Sequence, residues 1–434
     1  MLRGFESHTL RHIIEGPRVS YSSKNVYREP FARHTKLRRK GVVGGFFKGL
    51  AFALSAVLVA GIGVGAYAYH EYFGTLQGNS VMLAGQEVGA DIEVLPDEEV
   101  NILVSGIDKC EAEWIGQFEG RCTEEMAEIQ ENSYSGQLND VNMLVHISPE
   151  PRRVTVISIP RDLVTARPEC QDIDGNPTMP ASALPFNEAY GTGGLACVAL
   201  TAEELTGYHI DHAALMTWGG VIDVTNAIGG VNVCIAQPIK DPIHTHLDLE
   251  AGEHTLVGVE ALQFLRVRHG VGDGSDLSRI SNQQVYMGAL VRKLVSDETL
   301  GDLGALLRLA NAVVHNATLD DALAKPSTMV SIASALKDVP TSEYEFIQFP
   351  YVDYAPNPNK VAPDTVAWQQ IKAALDANQP LLAQEEPVEP TETPTEEPDP
   401  LATETPDPNE VPLPSNIRGS SASDATCSNS GSIF

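Results

Sequence analysis

The longest apolar run in the chain, GLAFALSAVLVAGIGVGAYAY at residues 49–69, contains 21 residues and no charge. A helix of that length crosses a hydrocarbon core of roughly 30 Å. This one is apolar on every face, whereas a helix packed on a soluble core keeps a polar stripe. The pattern therefore predicts one transmembrane helix. From residue 99 onward the pattern changes. NILVSGI (101–107), VNMLVHIS (141–148) and RVTVISIP (153–160) are short, β-branched and bounded by turn residues, as buried strands are. Apolar positions at helical spacing follow at 194–206, 278–296, 303–315 and 365–376. Strands interspersed with helices over residues 99–383 predict an α/β domain with helices on both faces of a sheet. Beyond it, residues 384–416 hold nine prolines and ten acids with no basic residue, a composition that cannot bury a core. Residues 384–434 are accordingly expected to form an acidic, disordered tail, and residues 70–98 a stem between membrane and domain.

Charge orients the span. Residues 1–48 carry eleven Lys and Arg against three acids (Glu6, Glu15, Glu29), an excess of +8 in a chain whose net charge is −29, so the remainder stands at −37. Lys36, Arg38, Arg39 and Lys40 immediately precede the apolar run, so the positive-inside rule places the basic leader (1–48) in the cytoplasm and everything after about residue 70 outside. So long a leader and so long an apolar run disfavour a cleaved signal peptide. The acidic remainder argues against a nucleic-acid partner, and the leader lacks a helix-turn-helix pattern. All six cysteines (Cys110, Cys122, Cys170, Cys197, Cys234, Cys427) lie on the side assigned as external, where disulfides persist. Six cysteines allow 15 pairings, and sequence alone does not choose among them. Proximity favours Cys110 with Cys122 and Cys170 with Cys197, leaving Cys234 for Cys427.

Candidate chemistry concentrates in ALQFLRVRHGVGDGSDLSRISNQQVYMGALVRKL, residues 261–294. Arg266 and Arg268 stand two apart on an apparent strand, which would turn both to one face. Asp276, Arg279 and Gln283 are spaced for one face of a helix, and a glycine-rich loop from His269 to Ser275 joins the two elements. Guanidinium groups on one face repel each other unless an anion or acids lie between them, and their forks match phosphate oxygens. SIPRDL (158–163) delivers Arg161 at the carboxyl end of a strand, where ligands of open α/β sheets bind. Asp108 and Asp140 lie at strand junctions, and carboxylates beside a pyrophosphate commonly hold Mg²⁺. His244, His246 and His254 have spacings that zinc could use, but no cysteine or motif supports that site. Arg292 reads as a surface arginine.

Seven segments in order resemble the LytR-CpsA-Psr glycopolymer transferases, in their actinobacterial branch: NILVSGID (101–108), NDVNMLVHIS (139–148), SIPRDL (158–163), FNEAYGTGG (186–194), IGGVNV (228–233), LVGVEALQFLRVR (256–268) and DLSRISNQQ (276–284). The resemblance implies an α-β-α domain with a central mixed sheet, outside the cell membrane and anchored by one span. It implies transfer of a polyprenyl-pyrophosphate-linked glycopolymer to peptidoglycan with release of polyprenyl phosphate. By position, Asp108 and Asp140 would hold the metal, Mg²⁺ or Mn²⁺. Arg161, Arg266, Arg268, Arg279 and Gln283 would contact the pyrophosphate. Arg161, Arg268, Asp276 and Arg279 would form the catalytic group, with Asp276 orienting or deprotonating the acceptor hydroxyl. The downstream apolar helices would line a tunnel for the lipid. Three positions depart from the family pattern, with Cys110, Leu138 and Asn282 standing where arginine is expected. They keep open a second class, a non-catalytic envelope-binding or regulatory membrane protein with the same fold.

Overall fold

A computed structural model describes residues 80–84, 86, 98–117, 122–382, 411–412 and 419–428, apart from 132, 135, 273, 275, 297–298, 300–301 and 425. The leader, the 49–69 span and most of the stem and tail lie outside the described residues. Among the described residues no helix is long and apolar enough to cross a membrane.

The three β-branched runs form strands β1 (Val100–Ile107), β2 (Asn139–Ile147) and β3 (Val154–Ser158), an antiparallel meander. β4 (His212–Met216) joins β1 in parallel. Next, β5 (Val231–Ile235), β6 (Ile239–Asp241), β7 (Leu247–Leu249) and β8 (Gly252–Leu256) make two nested pairs, β5 with β8 and β6 with β7. Then β9 (Ala317–Leu319) lies antiparallel to β4, β10 (Tyr344–Gln348) parallel to β3, and β11 (Gly419–Ser421) antiparallel to β10. The seven-stranded order is β9-β4-β1-β2-β3-β10-β11, a mixed sheet.

Strand register sorts the side chains by face. Ala213, Leu103, Leu144, Ile157 and Ile347 fall opposite one another along a row across β4, β1, β2, β3 and β10. Two helices cover that row, α1 (Ala189–Thr206) and the last long helix of the domain, Thr365–Asp376. The first stops at Gly207, whose left-handed φ of 71° lets its N–H return to Glu203. The second starts where the Asp364 carboxylate accepts the Ala367 N–H at 3.0 Å. Trp368 ties the two together by donating Nε1–H to Thr206 O at 2.9 Å. Burying each of these large side chains stabilises the face by about 1.5–3 kcal/mol.

The opposite row, including Val104 and Met143, faces α2 (Trp218–Ala227), α3 (Val259–Arg266) and α4 (Asp276–Leu294). A second apolar cluster, with Val231, Leu249, Phe264 and Tyr286, packs the two strand pairs against α3 and α4. The strand reading of Arg266 and Arg268 is thus corrected: Arg266 ends α3, and Val267 turns extended before Arg268. ALQFLRVR is too short for periodicity to separate helix from strand, and packing of Phe264 into the second cluster decides for helix.

All six cysteines are paired, Cys110–Cys122, Cys170–Cys197 and Cys234–Cys427, as proximity favours. Residues 419–428 of the segment assigned by composition to the tail are part of the fold. Besides β11, Ser428 exchanges backbone hydrogen bonds with Cys234 and Ala236, each 2.8 Å, and Arg292 donates Nη1–H to Ala422 O at 2.6 Å. Arg292 is therefore a clamp rather than a bystander. At the other end of the domain the stem residue Val81 donates to Leu319 O at 2.9 Å, and Leu83 is buried.

Candidate active site

Four chain segments reach one edge of the sheet. β1 and β3 both end there, β2 begins there, and β4, parallel to β1, ends there too. Asp108 follows β1, its N–H lying 3.4 Å from Leu138 O; Asp140 is the second residue of β2; Arg161 follows β3; Thr217 and Trp218 follow β4. α3 supplies Arg266, the loop after it Arg268, and α4 supplies Arg279 and Gln283 one turn apart. All of these except Asp276 line one cavity of about 490 Å³ between the sheet and helices α2 to α4. Asp276 is the first residue of α4, and its side chain lies outside the described part of the structure.

The cavity has two chemical characters. Asp108, Asp140, Arg161, Arg266, Arg268, Arg279 and Gln283 make a polar end. Val104, Met143, Val221, Leu262, Leu265, Met287 and Leu290 make an apolar remainder, built from the hollow sheet face and the inward sides of α2, α3 and α4. Of the apolar helices expected from the sequence, only the one predicted at 278–296 lines this cavity, as α4; the downstream segments 303–315 and 365–376, expected to line a tunnel, contribute no lining residue.

Asp140 is the hub of the polar end. Arg161 donates Nη1–H to its Oδ2 at 3.0 Å, Asn187 approaches its Oδ1 at 3.4 Å, and Arg279 donates Nη2–H to its backbone carbonyl at 3.0 Å. Two guanidinium groups are thereby drawn to one residue, and Arg279 is buried doing so. Arg161 also stands 3.4 Å from the Asp162 carboxylate. A guanidinium carries five N–H donors, so holding Asp140 and holding a phosphate are compatible. Arg266 lies over the Trp218 ring, Cζ 3.6 Å from its centroid, a cation–π contact. Gln283 donates to Leu265 O at 3.0 Å, tying α4 to α3.

Beside the arginines lies a feature the sequence pattern did not single out as catalytic. The Asp241 carboxylate, buried at the end of β6, accepts the His244 Nδ1–H at 2.9 Å, the His244 backbone N–H at 3.1 Å and the Thr245 hydroxyl at 3.0 Å. Burial alone would raise its pKa. The His244 side-chain and backbone bonds and the Thr245 hydroxyl outweigh that and hold it below the usual carboxylate range. Trp218 and Asn187 were equally invisible as site residues, although Trp218 stands just past a strand's carboxyl end, where a ligand residue is worth seeking.

The three departures from the arginine pattern are accounted for locally. Cys110 is in a disulfide, Leu138 is exposed, and buried Asn282 accepts a hydrogen bond from Ser428 of the docked C-terminal segment.

Together these define an α/β protein with one cavity lined by four arginines and by apolar side chains from the sheet and helices α2 to α4. The chain belongs to the LytR_cpsA_psr family, whose model matches residues 75–379. The cell wall biosynthesis protein LcpA of Corynebacterium glutamicum is 26% identical over 330 residues, 70% of this chain and 60% of that protein, so the chain spans less than two thirds of that relative's length. The polyisoprenyl-teichoic acid–peptidoglycan teichoic acid transferase TagT of Bacillus subtilis is 25% identical over 332 residues, 75% of this chain and 91% of that one. A LytR-Csp2A-Psr enzyme from Actinomyces oris superposes with a TM-score of 0.49 and 20% identity, over 68% of this chain and 94% of that one.

Among the described residues no group of three or more His, Cys, Asp or Glu is gathered to hold a metal. The two carboxylates at the polar end, Asp108 and Asp140, still fit Mg²⁺, which takes one or two carboxylates and completes its shell with water and phosphate oxygens.

Proposed function

We propose that this protein is an extracytoplasmic phosphotransferase that moves a polyprenyl-pyrophosphate-linked glycopolymer onto peptidoglycan and releases polyprenyl phosphate. One observation carries the reading: a single cavity is lined by four arginines and three carboxylates (Asp108, Asp140 and Asp241) together with an apolar interior. A free sugar phosphate needs no such interior, and a lipid alone needs no such arginines. The activity in TagT's name supports the same class of donor and acceptor.

In this reading Arg161, Arg268 and Arg279, with Arg266 and Gln283, grip the pyrophosphate and stabilise the charge that builds as the bond to the lipid phosphate breaks. Arg279 and Arg161 are pre-aimed by Asp140, so little reorganisation is left for the reaction. Asp108 and Asp140 would hold Mg²⁺ or Mn²⁺, which supplies further charge neutralisation on phosphate oxygens. Asp276, at the start of α4, orients the acceptor hydroxyl. Residues 49–69 anchor the chain in the cell membrane with its N-terminus inside, which keeps the cavity near its lipid donor.

The altered arginine positions favour a second reading, a non-catalytic binder of the same lipid-linked saccharide. The deciding experiment gives the purified chain in detergent a synthetic polyprenyl-pyrophosphoryl saccharide and a peptidoglycan fragment, with and without Mg²⁺. A transferase forms the phosphodiester product and releases polyprenyl phosphate, more of both with Mg²⁺. Binding with no product at any Mg²⁺ concentration establishes the binder instead.

A further inference from the structure

Transfer requires that a sugar hydroxyl lose its proton, and a guanidinium cannot take it. We propose that His244, held by Asp241, is the general base of this site. This rests on the transferase reading above and adds a residue and a role to it.

The geometry is that of an oriented imidazole. A carboxylate only accepts, so the 2.9 Å contact to Asp241 fixes the proton on Nδ1 and turns Nε2 into the acceptor. His244 and Asp241 line the same cavity as Arg266, Arg268 and Arg279. About half of the His244 side chain is exposed, so Nε2 belongs to a ring an incoming sugar can reach. Two contacts lock this pair to the arginine loop. The His244 and His269 rings stack with centroids 3.9 Å apart, and His269 follows Arg268 directly. Gly270, at a left-handed φ of 85°, lets the loop press on β6: a Cβ there would sit 2.7 Å from Lys240 O. The base and the anion grip are thus carried on adjoining, mutually packed segments.

The step balances without a further reactant. The acceptor oxygen forms a bond to the phosphorus that bears the glycan, and the bond from that phosphorus to the bridging oxygen breaks. Its electron pair leaves with polyprenyl phosphate. The hydroxyl proton passes to His244 Nε2, giving an imidazolium that Asp241 stabilises and that water discharges before the next turnover.

The test uses the full chain in detergent, the synthetic polyprenyl-pyrophosphoryl saccharide and a peptidoglycan-fragment acceptor. His244→Gln is expected to lower kcat by about 100-fold or more, while donor affinity and the thermal midpoint stay near wild type. Asp241→Asn should fall between the two. Added imidazole should restore part of the turnover of His244→Ala, an outcome a purely structural role does not give. His254→Gln, whose ring pairs with Glu250 O on the β7–β8 turn, should behave as wild type. Wild-type kcat in His244→Gln overturns the assignment. So does a variant set in which Asp276→Asn alone abolishes transfer, since the proton then goes to that carboxylate. A wild-type chain that binds the donor and never transfers it removes the transferase reading, and this inference with it. That result is read on the wild type and so is distinct from a failure of His244 alone.

Discussion

The two faces of the central sheet are made from the same strands and have opposite fates. On one, Leu103, Leu144, Ile157 and Ile347 are buried under α1 and the Thr365–Asp376 helix, and Trp368 bolts the helices together. On the other, their immediate neighbours Val104 and Met143 look into a cavity. Alternation at period two lets one strand serve both purposes. The filled face carries stability, which leaves the hollow face available to a ligand.

The sharpest way to break that comparison is truncation on each side. Leu144→Ala should cost roughly 3–5 kcal/mol, as a lost buried side chain and a new cavity do, and calorimetry of the full chain in detergent measures it. Val104→Ala should cost no more than about 1 kcal/mol, because one side of Val104 already borders open space. Equal costs would mean that the hollow face is packed in solution.

The filled face also hides a titratable group. His146 donates through Nδ1 to Asn101 Oδ1 at 2.8 Å, its Nε2 meets no partner, and burial pushes its pKa down to about 4. The unfolded chain binds that proton near pH 6.5, so it holds more protons than the folded chain between pH 6.5 and 4. This contribution is therefore intact above pH 6.5, and about 3 kcal/mol is lost as pH falls to 4. Denaturant unfolding across that window should show the slope, and His146→Gln should flatten it.

On the hollow face the expected effects fall on binding. Arg161→Ala should weaken affinity for the polyprenyl-pyrophosphoryl saccharide by roughly 1.5–3 kcal/mol, the scale of a charge-assisted hydrogen bond, with Arg308→Ala, an exposed arginine, as the control. Undiminished affinity would remove the anion site from this cavity. Filling the apolar interior with Leu265→Trp should discriminate by tail length, lowering affinity for a long polyprenyl donor more than for a short one. Equal losses would place the lipid elsewhere.

Much of this arrangement is legible in the sequence, for identifiable reasons. Strands β1 to β3 announce themselves because both of their faces meet apolar surfaces, and α4 because its spacing repeats over five turns. Arg266 misled because its strand-like spacing from Arg268 spans a helix end. The Asp140–Arg161 pair was hidden because sequence places the two 21 residues apart and leaves open whether acid meets arginine or metal. β11 is hidden more deeply: Gly419, Ser420 and Ser421 contribute backbone to an edge, and backbone has no compositional signature.

The Cys234–Cys427 bond turns the chain between those residues into a covalent ring. A protease that cuts once between residues 383 and 418 produces two polypeptides but not two molecules. The mass of the whole changes only by the water added, until a reductant is supplied. The clamp on α4 through Arg292 and Asn282 is carried on the retained piece, so a nicked chain keeps the contacts that hold α4, a wall of the cavity. An acidic proline-rich stretch built into a ring in this way is expendable in its continuity but not in its attachment.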